Sequence, residues 1–205
     1  MKYDVIMWDV DGTIIDSEHL YNKAIRHASL QCGVNIEQIS DEQLCGLHMQ
    51  AVWELIQKKY VIDADYAHWL ALLEQFYIEH RDELVPVDNS SELIRYFHEQ
   101  GIEQVCVSNS SRKIIEINLD VLNIHHEIKF IVSVDDVKHG KPDPEPYLKA
   151  LKSFENKKVI AVEDSLTGVK AANAADLSVA KYQATSIPFH GYTITDLNQL
   201  KQIVL

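Results

Sequence analysis

From about residue 84 to residue 181 the sequence alternates short apolar, strand-like segments with helical ones, and few folds accept that order. Segments 103–108, 130–133, 158–163 and 177–181 read as strands, and 90–98, 114–122, 144–154 and 166–175 read as helices between or after them. Strand, helix and strand in succession build a parallel sheet covered by helices through right-handed crossovers. One further strand belongs to this sheet by type. It is Val5-Ile6-Met7-Trp8, an apolar run that ends in Asp9-Val10-Asp11-Gly12-Thr13.

Between that first strand and its sequels lies a stretch from residue 17 to about 81 with helical spacing and no credible strand alternation. Ser17 stands where an N-cap would open a helix with Leu20, Ala24, Ile25 and Ala28 on one face, and Asp41 is placed to cap a short helix containing Leu44. Trp69, Leu72, Leu73, Phe76 and Tyr77 recur at helical spacing, a stripe that reads as core. Asp16 and Ser17 would form the hinge into this block. The expected architecture is α/β: a Rossmann-like parallel sheet with helices on both faces, residues 1–16 and 84–205, carrying an inserted α-helical cap domain, residues 17–83. Trp8 is expected in the sheet core.

Two acids at the carboxyl edge of such a sheet stand where open α/β folds keep their sites. Close anions resist deprotonation unless a cation lies between them, and oxygen-only ligands suit Mg²⁺. Three further features fall at comparable places: Ser108-Asn109 after Val105-Cys106-Val107, Lys141 in Gly140-Lys141-Pro142-Asp143-Pro144, and Glu163-Asp164 after Val159-Ile160-Ala161-Val162. Singly, each has an ordinary reading, since Asp, Ser and Asn suit turns and helix starts and a lone Lys is a surface residue by default. Jointly they supply what phosphoryl transfer needs: a nucleophile, a proton shuttle, carboxylates for a metal, and donors for the transferred group.

Net charge limits the partners. At −12 the chain would repel nucleic acid and anionic lipid, while a small anion could still bind where basic residues converge. Cys32, Cys45 and Cys106 are widely spaced with no C-x-x-C pair, which points to reduced thiols in a cytoplasmic protein rather than to a disulfide framework or a zinc site. The chain begins without a basic-then-apolar leader and has no apolar run long enough to span a bilayer. Oligomeric state is left open, with a monomer favoured.

With all four motifs in order, the sequence resembles the haloacid dehalogenase superfamily, in the branch with a helical cap after the first strand, similar to the β-phosphoglucomutase-like phosphatases. The resemblance covers essentially the whole chain. It implies Asp9 as nucleophile and metal ligand, and Asp11 as general acid/base whose backbone carbonyl also binds Mg²⁺. It further implies that Ser108 and the Asn109 amide hold the phosphate, that Lys141 neutralises phosphoryl oxygens and nucleophile, and that Asp164 ligates Mg²⁺ directly and Glu163 directly or through water.

Single positions separate the chemistries of this superfamily. Dehalogenases lack the metal and do not need an acid at the position of Asp11; phosphonate-cleaving relatives have a small residue there. Both readings conflict with Asp11. The phosphomutase shares the core motifs, but its cap lysine and arginine positions fall on Cys45 and Met49 here, and its cap histidine on Tyr21, which favours hydrolysis. Within the loop Leu44-Cys45-Gly46-Leu47-His48-Met49, Gly46 and His48 are candidate substrate contacts, as is Tyr21. The expected activity is Mg²⁺-dependent hydrolysis of a small phosphate monoester, with a sugar phosphate as a candidate substrate. A phosphomutase and a non-catalytic protein that binds phosphorylated metabolites are the alternatives. Two departures from the superfamily are structural: Asp88-Asn89 replaces the usual Pro-Gly, where Asn tolerates a left-handed turn, and Asp176 stands in place of a helix-ending Gly.

Overall fold

The computed structural model describes residues 2–44, 47–182 and 188–205. It divides into two compact units, 1–16 with 85–205 and 17–84.

The first unit is built on a six-stranded parallel sheet in the order β5-β4-β1-β6-β7-β8. β1 is Val5–Trp8, β4 Glu103–Val107, β5 Ile131–Val132, β6 Val159–Glu163, β7 Ser178–Tyr182 and β8 Gly191–Ile194. A parallel sheet must be covered on both faces, so its central strands carry apolar runs rather than alternation. All four residues of β1 are accordingly buried, and β1 pairs with β4 on one side and β6 on the other, Trp8 opposite both Cys106 and Val162. Val5, Met7, Val105, Val107 and Ala161 meet α7 (Glu145–Leu151) and α8 (Leu166–Ala174) through Tyr147, Ala150, Val169 and Ala172. On the opposite face the Trp8 indole N–H donates to Gln104 Oε1 at 3.0 Å, and Gln104 Nε2 donates at 2.8 Å to the Ile94 carbonyl of α5 (Ser90–Glu99). Trp8 is therefore core, with its one polar atom satisfied.

The sequence pattern missed the strands that carry little apolar signal. β2 (Ile15–Asp16) and β3 (Val85–Pro86) form a two-residue antiparallel ladder, too short for any periodicity. β8 lies at the sheet edge with Gly191, Tyr192 and Thr193 exposed, so only its pairing with β7 defines it. The left-handed turns are where they were expected, Asn89 at φ 64° and Asp176 at φ 58°.

The second unit contains α1 (Glu18–Gln31), α2 (Asp41–Leu44), α3 (Met49–Lys59) and α4 (Tyr66–Glu79). Trp69, Leu73 and Tyr77, one turn apart, are buried, and the Trp69 indole donates to Ser29 Oγ of α1 at 3.1 Å. Leu72 and Phe76 flank that line and are only half-buried, Phe76 lying between the rings of His27 and His80. One capping expectation is borne out in position alone and one is corrected. Ser17 does stand at the N-cap position of α1, but its side chain makes no capping hydrogen bond, because its backbone (φ −114°, ψ −8°) is not in the extended region a capping side chain requires. Asp41 is the first residue of α2 rather than its cap, and its carboxylate accepts from Arg26 at 2.5 Å. Cys32 and Cys106 are free thiols; Cys45 lies outside the described residues. Among the described residues no helix is long and apolar enough to cross a membrane.

Candidate active site

β1 and β6 pair in register, so Trp8 and Val162 stand side by side and the residues that follow them emerge together at the carboxyl edge of the sheet. Asp9 comes from the first, Glu163 and Asp164 from the second, and one carboxylate oxygen of each lies within 4.8 Å of the others. The close approach depends on glycines. Gly12, at φ +79°, faces Asp164, where a Cβ would sit 2.3 Å from Oδ2. Gly168 on α8 faces Glu163, where a Cβ would sit 1.8 Å from Oε2. Helix α8 itself is capped by Ser165, whose hydroxyl accepts from the Gly168 amide at 3.0 Å.

Lys141 is buried at the centre of this group. Its Nζ donates to Asp9 Oδ1 at 2.7 Å and to Glu163 Oε1 at 2.6 Å. Burial works against its ammonium, yet the charges of Asp9 and Glu163 outweigh that cost and hold it above the usual lysine range. One ammonium does not neutralise three carboxylates. Burial, with Asp9 adding to it, pushes the Glu163 carboxyl up to about 8 against the pull of Lys141. Burial and then Asp9 likewise push Asp164 up to about 7, against a hydrogen bond from Thr13. An oxygen-only donor set short of positive charge fits a hard divalent cation.

Asp11 is held elsewhere. Its Oδ2 accepts from Ser110 Oγ at 2.6 Å and Ser108 Oγ at 3.3 Å, and its Oδ1 accepts from Asn118 Nδ2 at 3.2 Å. The carboxylate of Asp11 is thus separate from the Asp9, Glu163 and Asp164 cluster. Asn109 grips the backbone of Lys141 at two points: its Oδ1 accepts the Lys141 amide at 2.7 Å and its Nδ2 donates to the Lys141 carbonyl at 2.9 Å. Gly140 leaves room for it, since a Cβ there would lie 2.7 Å from Asn109 Oδ1. The Lys141–Pro142 peptide is cis.

Asp9, Asp11, Ser108, Asn109, Lys141, Glu163 and Asp164 are all brought to one sheet edge. Five residues that touch them carried no sequence signal. The buried Tyr147 hydroxyl donates to Glu163, and Lys141 Nζ lies 5.2 Å from the Tyr147 ring centre. The Thr13 hydroxyl sits 3.3 Å from Asp9 Oδ2 and 3.1 Å from Asp164 Oδ1. Lys181, also buried, donates to the backbone carbonyl of Asp164. Ser110 and Asn118 contact Asp11 as described. His48 belongs to the helical unit, where its Nδ1 accepts from the Ala51 amide at 3.2 Å and caps α3; the Tyr21 ring of the same unit lies 4.8 Å from that of Tyr77, tilted at 46° to it. Gly46 lies outside the described residues.

Carboxylates, two buried lysines and strand-end hydroxyls gathered at the carboxyl edge of a parallel sheet make the site of an α/β enzyme. The chain belongs to the haloacid dehalogenase-like hydrolase family, whose sequence profile matches residues 6–182. It is 28% identical over 159 residues to pyrophosphatase PpaX of Bacillus mycoides, a match spanning 77% of this chain and 72% of that protein. In fold it is similar to CbbY from Rhodobacter sphaeroides in complex with phosphate, with a TM-score of 0.81 and 21% identity over 93% of this chain and 92% of that one. A mutant of the same protein in complex with xylulose-(1,5)bisphosphate superimposes with a TM-score of 0.78 at 20% identity, over 89% and 87%.

Proposed function

We propose that this protein is a Mg²⁺-dependent phosphatase that hydrolyses a small phosphate monoester through an aspartyl-phosphate on Asp9. The observation that carries the reading is the separation of the two acids: Asp9 pairs with Lys141 beside Glu163 and Asp164, while Asp11 is held apart by hydroxyl and amide donors. One carboxylate is thereby available as nucleophile and the other as a proton shuttle.

In the first step Asp9 attacks phosphorus as the bond to the ester oxygen breaks, and that oxygen takes the bonding pair and the proton of Asp11. In the second, Asp11 as carboxylate takes a proton from water, whose oxygen attacks the phosphorus, and Asp9 leaves as carboxylate. Lys141 offsets charge on Asp9 and on the transferred group, and Ser108 and the Asn109 amide donate to phosphoryl oxygens. Asp9, Glu163 and Asp164, with the backbone carbonyl of Asp11, would hold Mg²⁺, which supplies Lewis-acid neutralisation of the phosphate. Choice among esters is assigned to the helical unit, with His48 a candidate contact.

The names of the relatives widen the panel for the test. Sugar phosphates, nucleotides, inorganic pyrophosphate and an aryl phosphate are assayed for phosphate release with Mg²⁺ and with chelator. Metal-dependent release without any bisphosphate primer supports hydrolysis. Absence of release from every compound by folded, Mg²⁺-supplied protein overturns it, and turnover only with a primer turns the reading to a phosphomutase.

A further inference from the structure

The buried face of α6 (Arg112–Leu122) consists of Ile114, Ile115, Leu119 and Leu122, with one exception: Asn118, fully buried among them. An amide in such a place costs free energy unless it is hydrogen-bonded, so its partner is informative. Asn118 Nδ2 donates to Oδ1 of Asp11, 3.2 Å away and 107 positions distant in sequence.

We infer that Asn118 is a positioning residue for proton transfer by Asp11, an inference that rests on the acid role proposed above. The two oxygens of Asp11 are held from different places: Oδ1 by Asn118 inside α6, Oδ2 by Ser110 at 2.6 Å and Ser108 at 3.3 Å in the loop before it. Ser108 and Ser110 restrain one oxygen of the carboxyl. Asn118 supplies the second point and fixes the plane of the group. Because α6 is anchored by its apolar face, the amide is held by packing that does not depend on the loop. The Asp11 proton passes to the ester oxygen as the phosphorus–oxygen bond breaks, and the orientation of the carboxyl decides whether that transfer keeps pace with bond cleavage.

The experiment compares leaving groups. An alkoxide leaves poorly without a proton, whereas 4-nitrophenolate leaves readily. Single-turnover release of alcohol or phenolate, read as a second-order rate constant, isolates the first step for the best sugar phosphate of the panel and for 4-nitrophenyl phosphate. Asn118→Leu is expected to lower the sugar-phosphate constant at least about tenfold and the nitrophenyl constant less than about threefold. Adding Asp11→Asn to it should cost the sugar phosphate nothing beyond what Asp11→Asn costs alone. A uniform fall for both esters, or no fall for either, overturns the inference while leaving the acid role standing, provided Asp11→Asn alone discriminates between them. Where Asp11→Asn alone does not discriminate, the acid role itself is wrong and the inference goes with it. Should Asn118→Leu not fold, Asn118→Ser serves in its place, since the shorter hydroxyl cannot reach. The side-chain amide resonances of Asn118 give a further readout in the chain with position 118 unchanged. They should move on Asp11→Asn, and their failure to move overturns the contact.

Discussion

A Cβ on Gly12 would lie 2.3 Å from Oδ2 of Asp164, so the turn after the first strand touches the site carboxylate that follows β6 through a residue with no side chain. The same residue sits at φ +79°, where side-chain-bearing residues are strained. Gly12→Ala is therefore expected to destabilise the protein by about 1–2 kcal/mol from backbone strain alone. It should also displace Asp164 and weaken any Mg²⁺-dependent activity further than the stability loss accounts for. Urea unfolding and the Mg²⁺ concentration at half-maximal rate measure the two effects separately.

Asp9→Asn should stop turnover while leaving the fold intact. The variant removes one of three clustered carboxylates, so it relieves repulsion at the cost of a charged partner for Lys141, and these terms oppose each other. A melting temperature near that of the wild type, with phosphate release lost, is the expected pair of results. Undiminished release would remove Asp9 from the nucleophilic role.

Asp136 offers a test of pH dependence away from the site. Burial would raise its carboxyl, but hydrogen bonds from the Ser133 amide and hydroxyl, with Arg112 and Lys149 nearby, outweigh this and hold it below the usual range. A carboxyl whose folded value is depressed leaves more protons on the unfolded chain, so its stabilisation is present at neutral pH and is lost as pH falls through the folded value. Asp136→Asn should cost about 1 kcal/mol at pH 7. The difference in urea midpoint from wild type should narrow once the pH drops below about 4. A gap that stays constant with pH would show that shape rather than charge matters there.

Asp176 ends α8 in the left-handed region at φ 58° and its side chain is exposed. Glycine occupies that region without steric cost, though it also gains freedom in the unfolded chain. Asp176→Gly should consequently raise stability by about 0.5 kcal/mol, read as a rise of about 1–2 °C in melting temperature. A fall would mean that the Asp176 side chain makes a local contribution larger than the strain.

Much of the fold was legible because its signals are local. The continuous apolar runs of β1, β4 and β6 marked buried parallel strands, and helical spacing marked the intervening helices and the α4 stripe. β8, exposed along most of its length, and the two-residue β2–β3 ladder left no such trace, since pairing rather than composition makes them strands. In the site, Asp9, Ser108, Lys141 and Glu163 stood out by their place at or after strand ends. Tyr147, Thr13, Ser110, Asn118 and Lys181 did not, because a Tyr or an Asn at a helical core position looks like any other until its partner is known.

The sequence by itself determined the order of the buried apolar strands and of the helices between them and delivered its acids to one edge of a sheet, since apolar periodicity dictates which backbone segments must be buried and where each one ends. Only the tertiary structure decided how those acids divide. Residues two apart on an extended strand share a face, but the chain turns at Val10, whose carbonyl accepts from the Ile14 amide at 3.0 Å, and the two aspartates part there. Asp9 meets Lys141, 132 positions away, and Asp11 meets Asn118, 107 positions away. Contacts over such separations are set by which strands become neighbours, and no local pattern encodes them.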